Sequence, residues 1–226
     1  MSGTSPARGA GRPSGSTAKG EATRRHILDT SAAVFARVGY DRARMAELID
    51  ATGLTKGAVY FHFDSKEALA IAVLEAKHVE WLTEVRQRLE QFPPGRDRLT
   101  HLCAAMIELH RPDTTTWAIA RLTQNLTAIA STRARAANLT REWVAFVAEL
   151  IREAKELGHS PQDLDPAAVA VTLVGAFDGV KSIHDVLSGT GEEHFASSSA
   201  ILQAMSLDYL LVDGEHRDRV PDSSPP

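Results

Sequence analysis

Apolar residues recur every three or four positions along most of this chain, and two-residue alternation of β-branched side chains is nearly absent. That period belongs to helices with one buried face, so the expected fold is all-α with no strand. The first such stripe is Ile27, Ser31, Val34, Phe35 and Val38, with Arg24, Arg25 and Asp29 on the other faces. It predicts a helix from Glu21 to Val38 that Gly39 terminates. A short helix, Met45 to Thr52, carries Met45, Leu48 and Ile49 inward and breaks at Gly53. The segment from Leu54 to Phe63 is too short for a conventional helix yet lies between helices, and Val59, Phe61 and Phe63 are read as its inward residues. Asp64, with Glu67 three residues on, reads as a capping box opening a long helix from Ser65 to about Leu89. Short helix, glycine-containing turn, short helix, buttressed by a first helix, is the layout of a helix-turn-helix unit.

Beyond it, helices are expected at about 98–110, 114–129, 138–157, 166–187 and 193–211, separated by breaks containing Pro93, Pro94, Pro112, Pro161 and Gly189. The chain therefore divides into a flexible basic tail at 1–20, a helix-turn-helix domain at 21–66, a larger helical ligand-binding and dimerisation domain at 67–212, and a frayed tail at 213–226. The last two helices carry apolar faces, Leu173, Val174, Phe177, Val180 and Ile183 on one, Ile201, Leu202, Met205, Tyr209 and Leu210 on the other. Such faces pair as a four-helix bundle across a two-fold axis, which predicts a homodimer. The alternative is that they only complete the core of one subunit.

Composition narrows the function. With 43% hydrophobic residues in 226, the chain can bury a sizeable core. No uninterrupted apolar run approaches the roughly 20 residues of a membrane helix, and no secretory leader is apparent, so a cytoplasmic protein without a membrane partner is expected. Cys103 has no partner cysteine and no metal-ligand cluster around it, and reads as a buried apolar residue. No nucleophile elbow, phosphate-binding glycine loop, His-x-x-x-His pair or paired-carboxylate motif occurs, so neither an enzyme nor a metal or cofactor site is predicted. The net charge of −4 hides an asymmetry: residues 1–66 hold ten Lys and Arg against six Asp and Glu, leaving 15 against 23 for the remainder. Only the N-terminal part suits a polyanion.

Gly57 lets the short helix approach the floor of a DNA major groove, and Lys56 beside it can reach a guanine edge or a phosphate. Thr55 can cap that helix and offer a hydroxyl to phosphate. Tyr60, His62 and Lys66 can supply further phosphate contacts, and Ala58 is counted with them. Read alone, Tyr60 and His62 would serve equally as rim residues of a small helical domain. Gly39-Tyr40, Met45 to Ile49, Thr55-Lys56-Gly57-Ala58-Val59-Tyr60-Phe61-His62-Phe63 and Lys66-Glu67-Ala68-Leu69 together resemble the DNA-binding domain of the tetracycline-repressor (TetR) family. The resemblance implies a dimeric regulator on a palindromic DNA operator, answering to a small-molecule effector. One position departs from the family pattern: Arg44 stands where Ser or Thr usually caps the second helix. It cannot supply that acceptor but can reach a phosphate.

A narrower resemblance is carried by the same recognition segment, by Ser65-Lys66-Glu67, by Arg121-Leu122, and by Glu142-Trp143 in the helix ending at Leu157. It is similar to the γ-butyrolactone receptor branch, in which a tryptophan matching Trp143 lies over the signalling molecule. The resemblance implies a repressor of specialised-metabolite genes released by a γ-butyrolactone, butenolide or furan, with Trp143 and Phe177 at the effector site. Without it, Trp143 reads as a core tryptophan, and Trp81 and Trp117 as core or pocket wall. A regulator answering to an antibiotic or other apolar ligand, or an effector-independent activator or architectural DNA-binding protein, would share much of this pattern.

Overall fold

A computed structural model describes residues 18–109, 115–187 and 191–211. These form α1 (Ala18–Val38), α2 (Met45–Thr52), α3 (Lys56–His62), α4 (Lys66–Glu90), α5 (Arg96–Leu109), α6 (Thr115–Ala128), α7 (Arg133–Glu156), α8 (Pro166–Val186) and α9 (Gly191–Leu210), with no strand among the described residues. The side chains of Cys103 and Trp117, the loop at Pro112, residues 1–17 and the expected tail at 213–226 lie outside what is described, while residues 18–20, expected in the basic tail, open α1. α7 begins five residues before the expected 138, because Ala136 supplies an additional buried turn.

Helix ends follow the local chemistry. Gly39 takes φ 79° and its amide donates to the Phe35 carbonyl at 2.9 Å, and Gly53 closes α2 at φ 66°. Both are left-handed positions that a Cβ would strain. Arg44, at the N-cap of α2, makes no side-chain cap bond. The cap of α4 is not Asp64. Ser65 takes that place and its Oγ accepts from the Ala68 amide at 3.1 Å. The capping residue must sit three before the amide it serves, and Asp64 is one residue too early. Ser65→Ala should therefore cost about 1 kcal/mol, read as a drop of about 2–4 °C in melting temperature, whereas Asp64→Ala should leave the melt unchanged.

Two buried clusters organise the chain. The first joins Ile27, Phe35, Leu48, Val59, Phe63 and the stretch Leu69 to Leu74 with Leu122 and Leu126 of α6 and Ala136 and Leu139 of α7. The second gathers Val85 and Leu89 at the far end of α4 with Leu99, Leu102, Trp143, Phe146, Val147, Ile151, Val174, Phe177, Phe195 and Leu210. α4 thus belongs to both. Its Leu69, Val73 and Leu74 are fixed in the first cluster, and Val85 and Leu89 are the positions that reach the second.

α8 starts on an Asp165 cap that accepts from the amides of Ala167 and Ala168, with Pro166 in the first turn. Its segment Pro166–His184 is long and apolar enough to cross a membrane, with mean hydropathy 1.3, although Asp178 and Lys181 interrupt it. Only 17% of that segment is buried inside the subunit. An apolar helix left this open needs a covering surface.

Candidate nucleic-acid interface and effector cleft

α3 is a seven-residue helix held by one inward side chain. Val59 is fully buried, and Phe63, at the C-cap, is buried one turn later. Thr55 caps the helix, its Oγ1 accepting from the Ala58 amide at 3.2 Å. Lys56, Gly57 and Tyr60 are exposed, with the Lys56 ammonium 5.7 Å from the Tyr60 ring centroid. Ala58 and His62 are half-buried at the edges, and Arg44 is exposed at the start of α2. A Cβ built on Gly57 meets nothing within 4 Å, and its φ is not in the left-handed region. Neither the chain's own packing nor its backbone asks for glycine there.

Two expectations for this segment need correction. Phe61 does not turn into the core and is 84% exposed. Val59, Phe61 and Phe63 alternate with the period of a strand. In a helix, residues four apart share a face and the one between them points away. Lys66 is not an outward arm. Its Nζ donates to the carbonyls of Tyr40 at 3.1 Å and Ala43 at 3.2 Å and sits 4.2 Å over the Tyr40 ring. Two of the three ammonium protons are thus committed within the chain. The buried Tyr40 hydroxyl donates to Glu67 Oε1 at 3.4 Å, and burial, with the Glu67 carboxylate second, pushes its pKa up to about 12. The Glu67 carboxyl is held below its ordinary value, chiefly by its own backbone amide and then by the Ser65 hydroxyl. Tyr40, Lys66 and Glu67 therefore clasp the α1–α2 connection onto the start of α4, which sets the angle at which α2 and α3 are presented.

Behind the first cluster, Trp143 is buried edge-on against Trp81, with ring centroids 4.4 Å apart, and lies 5.7 Å from Phe146. His78 Nε2 lies 3.5 Å from Glu142 Oε2, and burial pushes the imidazole pKa down against the carboxylate's opposing pull. A narrow cleft lies between α5, α7, α8 and α9. Leu102, Met106, Val147 and Phe177 give it apolar walls, and Ser199 and Gln203 line the α9 side. Ser199 Oγ is buried with no hydrogen-bond partner among the described residues. Trp143 does not line this cleft and stands one helical turn from Val147, which does. Phe177 and Trp143, expected at one site, share the second cluster but not a cavity wall.

The proposed dimer surface divides likewise. Ile201, Met205 and Tyr209 are exposed along one face of α9, Met205 at 67%. On α8, Leu173 and Val180 are half-buried. Phe177, expected at the interface, is buried inside the subunit against Phe195, at 6.2 Å, with the Lys181 ammonium 5.1 Å from its ring. The exposed apolar residues of that region are Val171, Ile183, Val186 and Leu187. Ile183 belongs to the expected face, whereas Val171, Val186 and Leu187 do not, because α8 is apolar on two faces, and periodicity does not tell the covered one from the open one.

A family model described as bacterial regulatory proteins, tetR family, matches residues 27–73, and one described as tetracyclin repressor-like, C-terminal domain, matches 127–193. The A-factor receptor protein of Streptomyces griseus is 28% identical over 179 residues, covering 75% of this chain but 58% of its own length. An HTH-type transcriptional repressor of Mycobacterium tuberculosis is 33% identical over 166 residues, covering 70% of this chain and 80% of its own. A solved structure reported as the molecular basis for control of antibiotic production by bacterial hormones superposes with a TM-score of 0.71 at 29% identity, covering 84% of this chain and 98% of that one.

Proposed function

The chain belongs to the tetR family of bacterial regulatory proteins, and from that premise we propose that it is a transcriptional repressor whose dimer holds a palindromic operator through α3 and lets go when a small lactone-type molecule binds. The observation that carries the DNA reading is Gly57. The space outside it is open, it stands across α3 from the buried Val59, and Lys56 flanks it. A residue that the chain's own packing does not require to be small is explained by the close approach of a groove. Thr55, Lys56, Ala58, Tyr60, His62 and Arg44 surround it as candidate contacts to phosphate and base edges. The division at about residue 66, between a DNA-binding and a ligand-binding part, belongs to the same reading.

The effector class rests on the A-factor receptor relative, together with the hormone-responsive structural neighbour. The effector region supports it chemically. An apolar cleft with a buried hydroxyl suits a mostly apolar ligand with one ester or hydroxyl oxygen, and a part for Trp143 rests on the branch resemblance alone, its indole being packed on Trp81 and Phe146. An antibiotic or another apolar ligand fits the same walls, and the ligand screen below separates the two.

The coupling runs through α4. A ligand that packs better in a conformation with the recognition helices splayed shifts the population away from the operator-competent spacing. It can do so only by its affinity difference between the two states, and DNA weakens ligand binding by the same factor.

The experiment is capture of genomic fragments by the purified protein, followed by a screen of γ-butyrolactones, butenolides and furans for release. Lys56→Ala should weaken binding to a captured fragment by about 1–3 kcal/mol if it reads a guanine. Should it grip only a phosphate, the salt slope of binding falls by about one instead. Unchanged affinity and unchanged slope would remove α3 as the recognition surface.

A further inference from the structure

An exposed aromatic ring carries no meaning by itself, because single apolar side chains are common on protein surfaces. The position of Phe61 does. At 3.6 residues per turn, Gly57 and Phe61 each lie about 160° around α3 from Val59, the buried side chain that seats the helix. They form one outward ridge, about one turn apart. At its first position the ridge has no side chain, and a Cβ there meets nothing within 4 Å. At its second it carries a whole benzyl group at 84% exposure. The edge of Phe61 packs against His62, with centroids 5.2 Å apart and the rings 85° to one another. That contact limits where the ring can swing. Exposed Lys56 and Tyr60 flank the ridge. The surface around Phe61 is thus cationic and polar, unlike the apolar surface of α8 and α9.

We propose that Phe61 is a base-reading residue, packing its ring in the major groove against the 5-methyl group of a thymine at one fixed position in each half-site. The inference rests on the operator-binding reading of α3 given above. Phenylalanine neither donates nor accepts a hydrogen bond, so among the groove edges it discriminates by apolar contact, and the thymine methyl is the apolar group displayed there. Gly57 supplies the complementary feature: with the first turn stripped to backbone, the helix enters deeply enough for a side chain one turn later to reach a base rather than a phosphate.

The test begins with selection from a randomised duplex library by wild-type protein and by Phe61→Ala at the same salt concentration. The wild type should enrich a palindrome. The variant should enrich the same palindrome with its preference for thymine lost at one position per half-site. Because Phe61 is exposed, the variant should melt as the wild type does. Uracil in place of that thymine removes only the methyl group. It should cost the wild type about fourfold in affinity per half-site and cost Phe61→Ala nothing. The proposal is overturned if the variant selects the same sequence with the same affinity, or if uracil costs both proteins equally. A wild type that enriches no sequence brings down the operator reading itself, and this inference with it.

Discussion

Met205→Asp is expected to turn the dimer into a folded monomer, with loss of binding to a two-half-site operator by several orders of magnitude. Met205 lies mid-face on α9 between Ile201 and Tyr209, all three exposed within one subunit. The apolar α8, only 17% buried over Pro166–His184, offers further surface for the partner to cover. An unpaired carboxylate buried in such an interface costs several kcal/mol. Within the isolated subunit it costs little, because the side chain stands in water. Binding by two linked recognition helices also depends on the effective concentration that dimerisation gives the second one, which a monomer forfeits. Light scattering should show half the mass, with helical content retained. Phe177→Asp makes the contrast, since its side chain is buried inside the subunit and the charge should unfold the protein. A Met205→Asp dimer with unchanged melting temperature would place the interface elsewhere.

Trp143→Ala should lower stability by about 3–5 kcal/mol, which for a chain of this size is roughly 10 °C in melting temperature. The indole is buried against Trp81 and Phe146, and truncation leaves a cavity that its neighbours only partly close. Any loss of operator binding by that variant would then report unfolding. Trp143→Phe separates the two roles, keeping most of the ring volume and losing the NH donor. Operator affinity should stay within about twofold of wild type, since about 0.4 kcal/mol is the scatter of a neutral substitution. Release by lactone should weaken about tenfold if the NH holds a ligand oxygen. An alanine variant that melts like the wild type yet ignores lactone would make Trp143 a wall of the site and no part of the core.

The helices were legible because their ends carry local signals, such as Gly39 and Gly53 at left-handed positions. The Thr55 cap and the outward placement of Lys56 and Gly57 were legible because capping, charge and the lack of a side chain act where they stand. The misreadings have physical causes. Phe61 was assigned inward by a strand's alternation imposed on a helix. Lys66 is a cation in a recognition motif, and sequence does not distinguish a cation facing phosphate from one whose protons are taken by two carbonyls 23 and 26 residues away. Phe177 lies on a helix apolar on two sides, and which side meets a partner depends on packing distant in sequence. Neither the cleft nor the orphan Ser199 hydroxyl could be anticipated, since four separate helices build it.

The first buried cluster has a consequence for how such regulators can be recombined. Leu122 and Leu126 of α6, with Ala136 and Leu139 of α7, complete the core around Ile27, Phe35 and Leu69. A chimaera that transplants only α1 to α3 would carry half a core into a body shaped for another head. The unit that can be exchanged between relatives, by engineering or by evolution, is the head together with its α6–α7 cradle. The same four side chains are then where an inherited change in effector specificity can alter DNA affinity without touching either binding surface.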